Sequence, residues 1–111
     1  MKYATRASEG VPVITPEGVK RRILSYGSKL MLVQFEFPAG ISAAWHNHPH
    51  EQVGYIVSGE LDFNLDGHAP VRLGPGDSYY VPPNAWHNVV TVAPTILIDA
   101  FSPVREDFLS N

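Results

Sequence analysis

Along most of this chain apolar and polar residues alternate with the period of two that half-buried strands require, and helical periodicity is hard to find before residue 102. The clearest run is Lys29 to Phe37, which puts Met31, Val33, Phe35 and Phe37 on one face and Leu30, Leu32, Gln34 and Glu36 on the other. It reads as a hairpin with Val19 to Tyr26 around Gly27-Ser28. Further strands are expected at Ile41 to His46, Gln52 to Val57, Glu60 to Leu65, Ala69 to Leu73, Ser78 to Val81, His87 to Val92 and Thr95 to Phe101. Asp66-Gly67 predicts a tight turn, and Gly74-Pro75-Gly76 and Pro82-Pro83-Asn84 predict two more. Only the tail changes period: Ser102-Pro103 offers an N-cap and a first-turn proline, so Val104 to Leu109 is expected to make a helical turn or two. About nine or ten short strands cannot pair in one flat sheet on so few residues, which predicts an all-β closed or sandwiched barrel.

Composition narrows the function more than the fold. The chain has 111 residues, 44% hydrophobic and 17% charged, the make-up of one globular domain spanning residues 1–111. It has no cysteine, which removes disulfides, a catalytic thiol and thiolate metal sites. A net charge of −3 argues against nucleic acid as a partner, and the Lys20-Arg21-Arg22 run reads as a solvated strand edge. No apolar run reaches the roughly 20 residues of a membrane span, and the first ten residues lack an apolar leader core, so no membrane partner and a cytoplasmic location are expected.

Of five histidines, three fall in His46-Asn47-His48-Pro49-His50, and His87 follows the Pro82-Pro83-Asn84 turn. Residues two apart on a strand point the same way, so His46 and His48 would aim two imidazoles at one point. Gln52 can add an amide oxygen and His87 a third imidazole. Gly40, His46, His48, Gln52 and Gly59 stand at the spacing of the first sequence motif of the cupin superfamily, about residues 40–59, with Gln52 in place of the usual Glu. Gly76, Pro82, Asn84 and His87 resemble the second motif, about residues 76–91, with Asn84 where Gly is usual and Thr91 where Asn is usual. Asn tolerates the left-handed turn that this glycine serves.

This resemblance implies a small single-domain jelly-roll (RmlC-like) barrel with one divalent metal held by His46, His48, Gln52 and His87. Three imidazoles and an amide accept Ni, Zn, Mn, Fe or Co and leave the metal charge uncompensated, which favours an anionic ligand such as a carboxylate. Glu51 swinging in as a carboxylate ligand, and His50 as a substitute ligand or a group supporting the ligands from behind against a surface role, are alternatives at this point. Trp45 and Trp86, each preceding a ligand, are expected to pack between sheets or else to fence the metal. Tyr55, Tyr79 and Tyr80 stay unassigned.

The last strand sets Asp99 within an apolar run, and parity alone leaves two readings: inward with Leu97 and Phe101, or solvated opposite Ile96, Ile98 and Ala100. The segment Asp99 to Leu109, together with His46 to Gln52, is similar to the pectin-degradation cupins of the KdgF type. That resemblance implies opening of 4,5-unsaturated monouronates, from pectin or alginate, to linear 5-keto-4-deoxyuronate. It makes Asp99 the general acid/base, Arg105 the holder of the sugar carboxylate or hydroxyls, and Phe101 an apolar wall. Without it, Arg105 reads as a surface ion pair with Glu106 or Asp107. The rivals are a sugar-binding or sensor cupin without catalysis and a metal-dependent dioxygenase, and family analogy adds a homodimer.

Overall fold

The computed structural model describes residues 2–109. Nine strands and one helical turn follow one another as β1 (Val13–Ile14), β2 (Lys20–Tyr26), β3 (Met31–Phe37), β4 (Glu51–Ser58), β5 (Leu61–Leu65), β6 (Val71–Leu73), β7 (Ser78–Val81), β8 (His87–Thr91), β9 (Thr95–Ser102) and α1 (Glu106–Leu109). They form a six-stranded sheet in the order β1-β2-β3-β9-β4-β7 and a three-stranded sheet in the order β6-β5-β8, every pairing antiparallel. The all-β barrel architecture expected from alternation is therefore present.

Alternation decides what the two sheets enclose. In β9 the residues Thr95, Leu97, Asp99 and Phe101 are buried and their neighbours are only partly so, which settles the parity of the last strand in favour of an inward Asp99. Leu97 belongs to an apolar cluster with Ile56, Leu61, Phe63, Tyr79 and Val81, and Phe101 to a second one with Met31 and Val33. Asp99 lies between those two residues on the same strand face, so a carboxylate sits at the junction of the two halves of the core.

Two local expectations change, and one short strand is new. Ile41 to His46 is not a strand but keeps only two isolated bridges, Ser42 to Val90 and His46 to His87. Side chains of β8 take over part of the ladder there: the Thr91 hydroxyl accepts from the Ile41 N–H at 3.0 Å, and the Asn88 amide donates to the Ala43 carbonyl at 2.9 Å. Ser102 is no helix cap, because it still pairs with Glu51 at the end of β9 and α1 begins only at Glu106. β1, an exposed two-residue strand on β2, carries no alternation to announce it. The Asn84 turn does hold: Asn84 is left-handed with φ 65°, and its N–H donates to the His48 carbonyl at 2.7 Å, tying the second motif to the first.

Candidate metal centre

Each of the three imidazoles is fixed through Nδ1 by a backbone carbonyl two residues away. His46 donates to Ala44 at 3.0 Å, His48 to His50 at 3.0 Å and His87 to Ala85 at 2.9 Å. A carbonyl only accepts, so each proton sits on Nδ1 and each Nε2 is left with a free lone pair. The ligand atoms of His46, His48 and His87 lie within 4.8 Å of one another. His87 Nε2 is buried with no hydrogen-bond partner. Burial drives the His87 imidazole down to about 4 and lowers that of His48, so both are neutral at pH 7, the state a metal ligand needs.

Gln52 completes the fit. Its side chain faces the Asp99 carboxylate as a donor, which turns Oε1 toward His48, where it lies 3.0 Å from Nε2. Two acceptor atoms then face each other across a hydrogen-bond distance with no proton to share. That arrangement is repulsive alone and attractive around a cation, so the donor set fits a divalent metal.

Asp99 lies beside this cluster and is only 4% exposed. The Tyr79 hydroxyl donates to its Oδ1 at 2.6 Å. Burial pushes the carboxyl up to about 6, against the opposing pull of Tyr79, Gln52 and the Arg105 charge. Arg105 reaches the same place from the C-terminal segment. Its guanidinium is 5.1 Å above the Phe101 ring and 4.2 Å above that of Phe108, while Asp107 accepts from Nε at 3.0 Å and from Nη2 at 2.9 Å. The Asp107 ion pair read from sequence alone thus exists, but on an arginine side chain only 13% exposed and stacked against the site. Phe101 is buried, with its ring edge-on to His48 at 5.8 Å. His46, Gln52, His87, Asp99, Phe101 and Arg105 all line one cavity of about 260 Å³. A larger hollow of about 510 Å³ lies between the N-terminal segment and Ser25 to Ser28, and it contains no histidine.

The remaining expectations divide. Glu51 points away from the imidazoles and accepts from the Tyr80 hydroxyl at 2.7 Å on the outer face, because β4 turns Gln52 inward and Glu51 outward. His50 stands outside the imidazole cluster and supports it from behind: its carbonyl accepts from His48 Nδ1, and its Nε2 donates to the Val104 carbonyl at 3.1 Å and pins the segment that carries Arg105. Trp45 and Trp86 are half exposed, so they do not pack between the sheets. Two contributors escaped the sequence reading. Tyr79 was one of several unassigned tyrosines, and Gly54 gave as its only signal a glycine inside a strand, the mark of a close approach.

Residues 33–101 match the family described as Cupin domain. Pectin degradation protein KdgF of Dickeya dadantii is 36% identical over 95 residues, covering 84% of this chain and 86% of that one. The crystal structure of an RmlC-like cupin from Shewanella frigidimarina superposes with a TM-score of 0.91 at 38% identity, covering 97% of this chain and 96% of the other. KdgF from Halomonas sp. superposes with a TM-score of 0.89 at 32% identity, covering 97% and 99%. With the two-sheet barrel, the histidine cluster and these likenesses together, the chain belongs to the cupin family and, within it, to the KdgF proteins.

Proposed function

We propose that this protein opens the ring of 4,5-unsaturated monouronates, derived from pectin or alginate, to linear 5-keto-4-deoxyuronate. The observation that carries the reading is the buried Asp99 carboxyl, set against the imidazole cluster in a chain related to KdgF. In such a sugar C1 is a hemiacetal, and the ring oxygen joins it to C5, an enol-ether carbon bearing the carboxylate. Opening is an isomerisation: the O1 proton leaves, the bond from C1 to the ring oxygen breaks, C1 becomes an aldehyde, and the enol at C5 takes a proton at C4 to give the ketone. The atoms balance without oxidant or water.

Asp99 is suited to both proton movements. An acid poised near 6 takes the O1 proton as a base and returns one as an acid, without either form being scarce near neutral pH. Arg105 holds the sugar carboxylate with its remaining N–H groups, and its stack on Phe101 and Phe108 orients the guanidinium plane. Phe101 supplies the apolar wall that keeps water from the proton-transfer side. His46, His48, His87 and Gln52 would hold a divalent ion of the Ni, Zn, Mn, Fe or Co set, which when bound supplies Lewis-acid charge to a substrate carboxylate or oxygen.

The test mixes the metal-loaded protein with freshly generated unsaturated galacturonate and follows loss of the conjugated-alkene absorbance against an enzyme-free control, since the sugar also opens unaided. Faster decay is expected, falling by about 10² to 10⁴ in Asp99→Asn. Decay equal to the control by a metal-loaded wild type would overturn the proposal and leave a uronate-binding protein.

We also propose a homodimer through the outer face of the six-stranded sheet. Leu32, Val53, Tyr55 and Tyr80 are exposed there as a patch that an identical face can cover.

A further inference from the structure

Tyr79, Gly54 and Asp99 stand in one row across three strands. Gly54 of β4 pairs with Tyr79 of β7 on one side and with Asp99 of β9 on the other. Both neighbouring side chains point inward, and they meet above the Gly54 Cα, where the Tyr79 hydroxyl donates to Asp99 Oδ1 at 2.6 Å. Only glycine permits this crossing. A Cβ at position 54 would lie 2.5 Å from the Tyr79 hydroxyl oxygen and 2.6 Å from Asp99 Oδ1, and closer still to Tyr79 Cζ. The φ of Gly54 is not in the left-handed region, so the glycine serves close approach and not backbone freedom. The ring of Tyr79 is held in turn by Phe63, stacked on it at 4.7 Å and 13°.

We infer that Tyr79 is a positioning residue for the ring-opening reaction, fixing the Asp99 carboxyl in one orientation across the gap that Gly54 leaves open. The inference rests on the proposed acid–base role of Asp99. A hydroxyl has one proton to give, and Tyr79 gives it to Oδ1, so that with the Gln52 side chain as the second donor the carboxyl is held in one plane and keeps lone pairs to exchange protons with substrate. A carboxyl free to rotate would present either oxygen, or neither, at the reacting distance.

Tyr79→Phe keeps the ring and its Phe63 stack and removes only the hydroxyl. It is expected to lower kcat by about ten- to a hundredfold with KM within about twofold, the size of one lost hydrogen bond to a charged group. Metal content should stay at the wild-type value, and the melting temperature should fall only by the several degrees that one lost buried hydrogen bond costs. Because Tyr79 acts through Asp99, the double variant Tyr79→Phe/Asp99→Asn should be no slower than Asp99→Asn alone. A proton NMR spectrum supplies a readout independent of turnover: a downfield hydroxyl resonance protected from exchange is expected in wild type and absent in both Tyr79→Phe and Asp99→Ala. Gly54→Ala should reproduce the kcat loss, and if that variant does not fold, Tyr79→Phe carries the decision alone. A wild type that opens the ring while Tyr79→Phe matches its kcat, or a double variant slower than Asp99→Asn by the full Tyr79→Phe factor, overturns the inference and leaves the proposed function standing. A wild type no faster than the enzyme-free control overturns the function instead.

Discussion

Asp99 and His87 meet the same buried environment with opposite consequences, because burial disfavours the charged form of each. The Asp99 carboxyl is raised from 3.8 to about 6, so between those values the folded protein holds a proton that the unfolded chain has released, and stability falls as pH rises through that window. His87 is lowered from 6.5 to about 4, so the unfolded chain holds the extra proton and stability grows with pH over nearly the same span. In metal-free protein the two trends oppose each other. Asp99→Asn removes one of them while keeping an acceptor for Tyr79. Relative to wild type, the metal-free variant is therefore expected to gain about 2 kcal/mol between pH 4 and pH 7, read by urea unfolding in chelator at both ends. A constant difference across that range would mean that Asp99 is not the buried ionising group. Metal should act in the other direction: an ion on His87 Nε2 and its neighbours binds only the folded chain, so a chelator is expected to lower the melting temperature, by about 2.7 kcal/mol of stability if the ion had stood at a hundred times its dissociation constant. An unchanged melting curve on chelation would count against the centre.

Several strands follow directly from alternation, β4, β5, β7 and β9 each turning every second residue inward, and the spacing of His46, His48 and His87 is realised as one cluster. The exceptions share a cause: side chains or pairing partners elsewhere in the chain decide them. Residues 41–46 alternate like a strand, yet Thr91 and Asn88 intercept their backbone groups. Ser102 looks like a helix cap, yet Glu51 keeps it in β9. The inward parity of Asp99 was undecidable locally, because the residues on either side of it are apolar on both faces. The tether from His50 to Val104 is of the same kind, joining residues 54 apart. It holds the stretch ahead of Arg105 against the first motif, so His50→Ala is expected to raise KM for the uronate by about three- to tenfold, with kcat within about twofold, and to speed proteolysis within residues 103–109. Steady-state kinetics and timed protease digestion check it. A fall in kcat with KM unchanged would place His50 among the groups that act on the reacting atoms.

The two sheets of the molecule are unequal. The six-stranded sheet covers its inner face with the three-stranded one, while on its outer face apolar residues follow one another across the strands. Leu32 pairs with Ala100, Ala100 with Val53, and Val53 with Tyr80, which makes a continuous row over β3, β9, β4 and β7. Tyr55, in register with Ile98, stands in the next outward row and is 52% exposed. An isolated sheet would be expected to put polar groups here, as β3 does further along with Gln34 and Glu36. A chain of net charge −3 repels its copies at long range, so an interface between copies gains most where its centre is uncharged, and this row supplies such a centre with the Glu51 carboxylate beside it on Tyr80. Burying about 800 Å² on each partner is the ordinary size for a stable pair, a reach that four adjacent strands can provide. Light scattering behind gel filtration is therefore expected to give twice the chain mass at micromolar concentration. Tyr55→Glu places an unpaired charge at the centre of that contact, and it should halve the mass while leaving metal content and the Asp99 pocket on the opposite face of the sheet unaltered. A wild type of single-chain mass at tens of micromolar, or a Tyr55→Glu protein that remains paired, would remove this face as the contact.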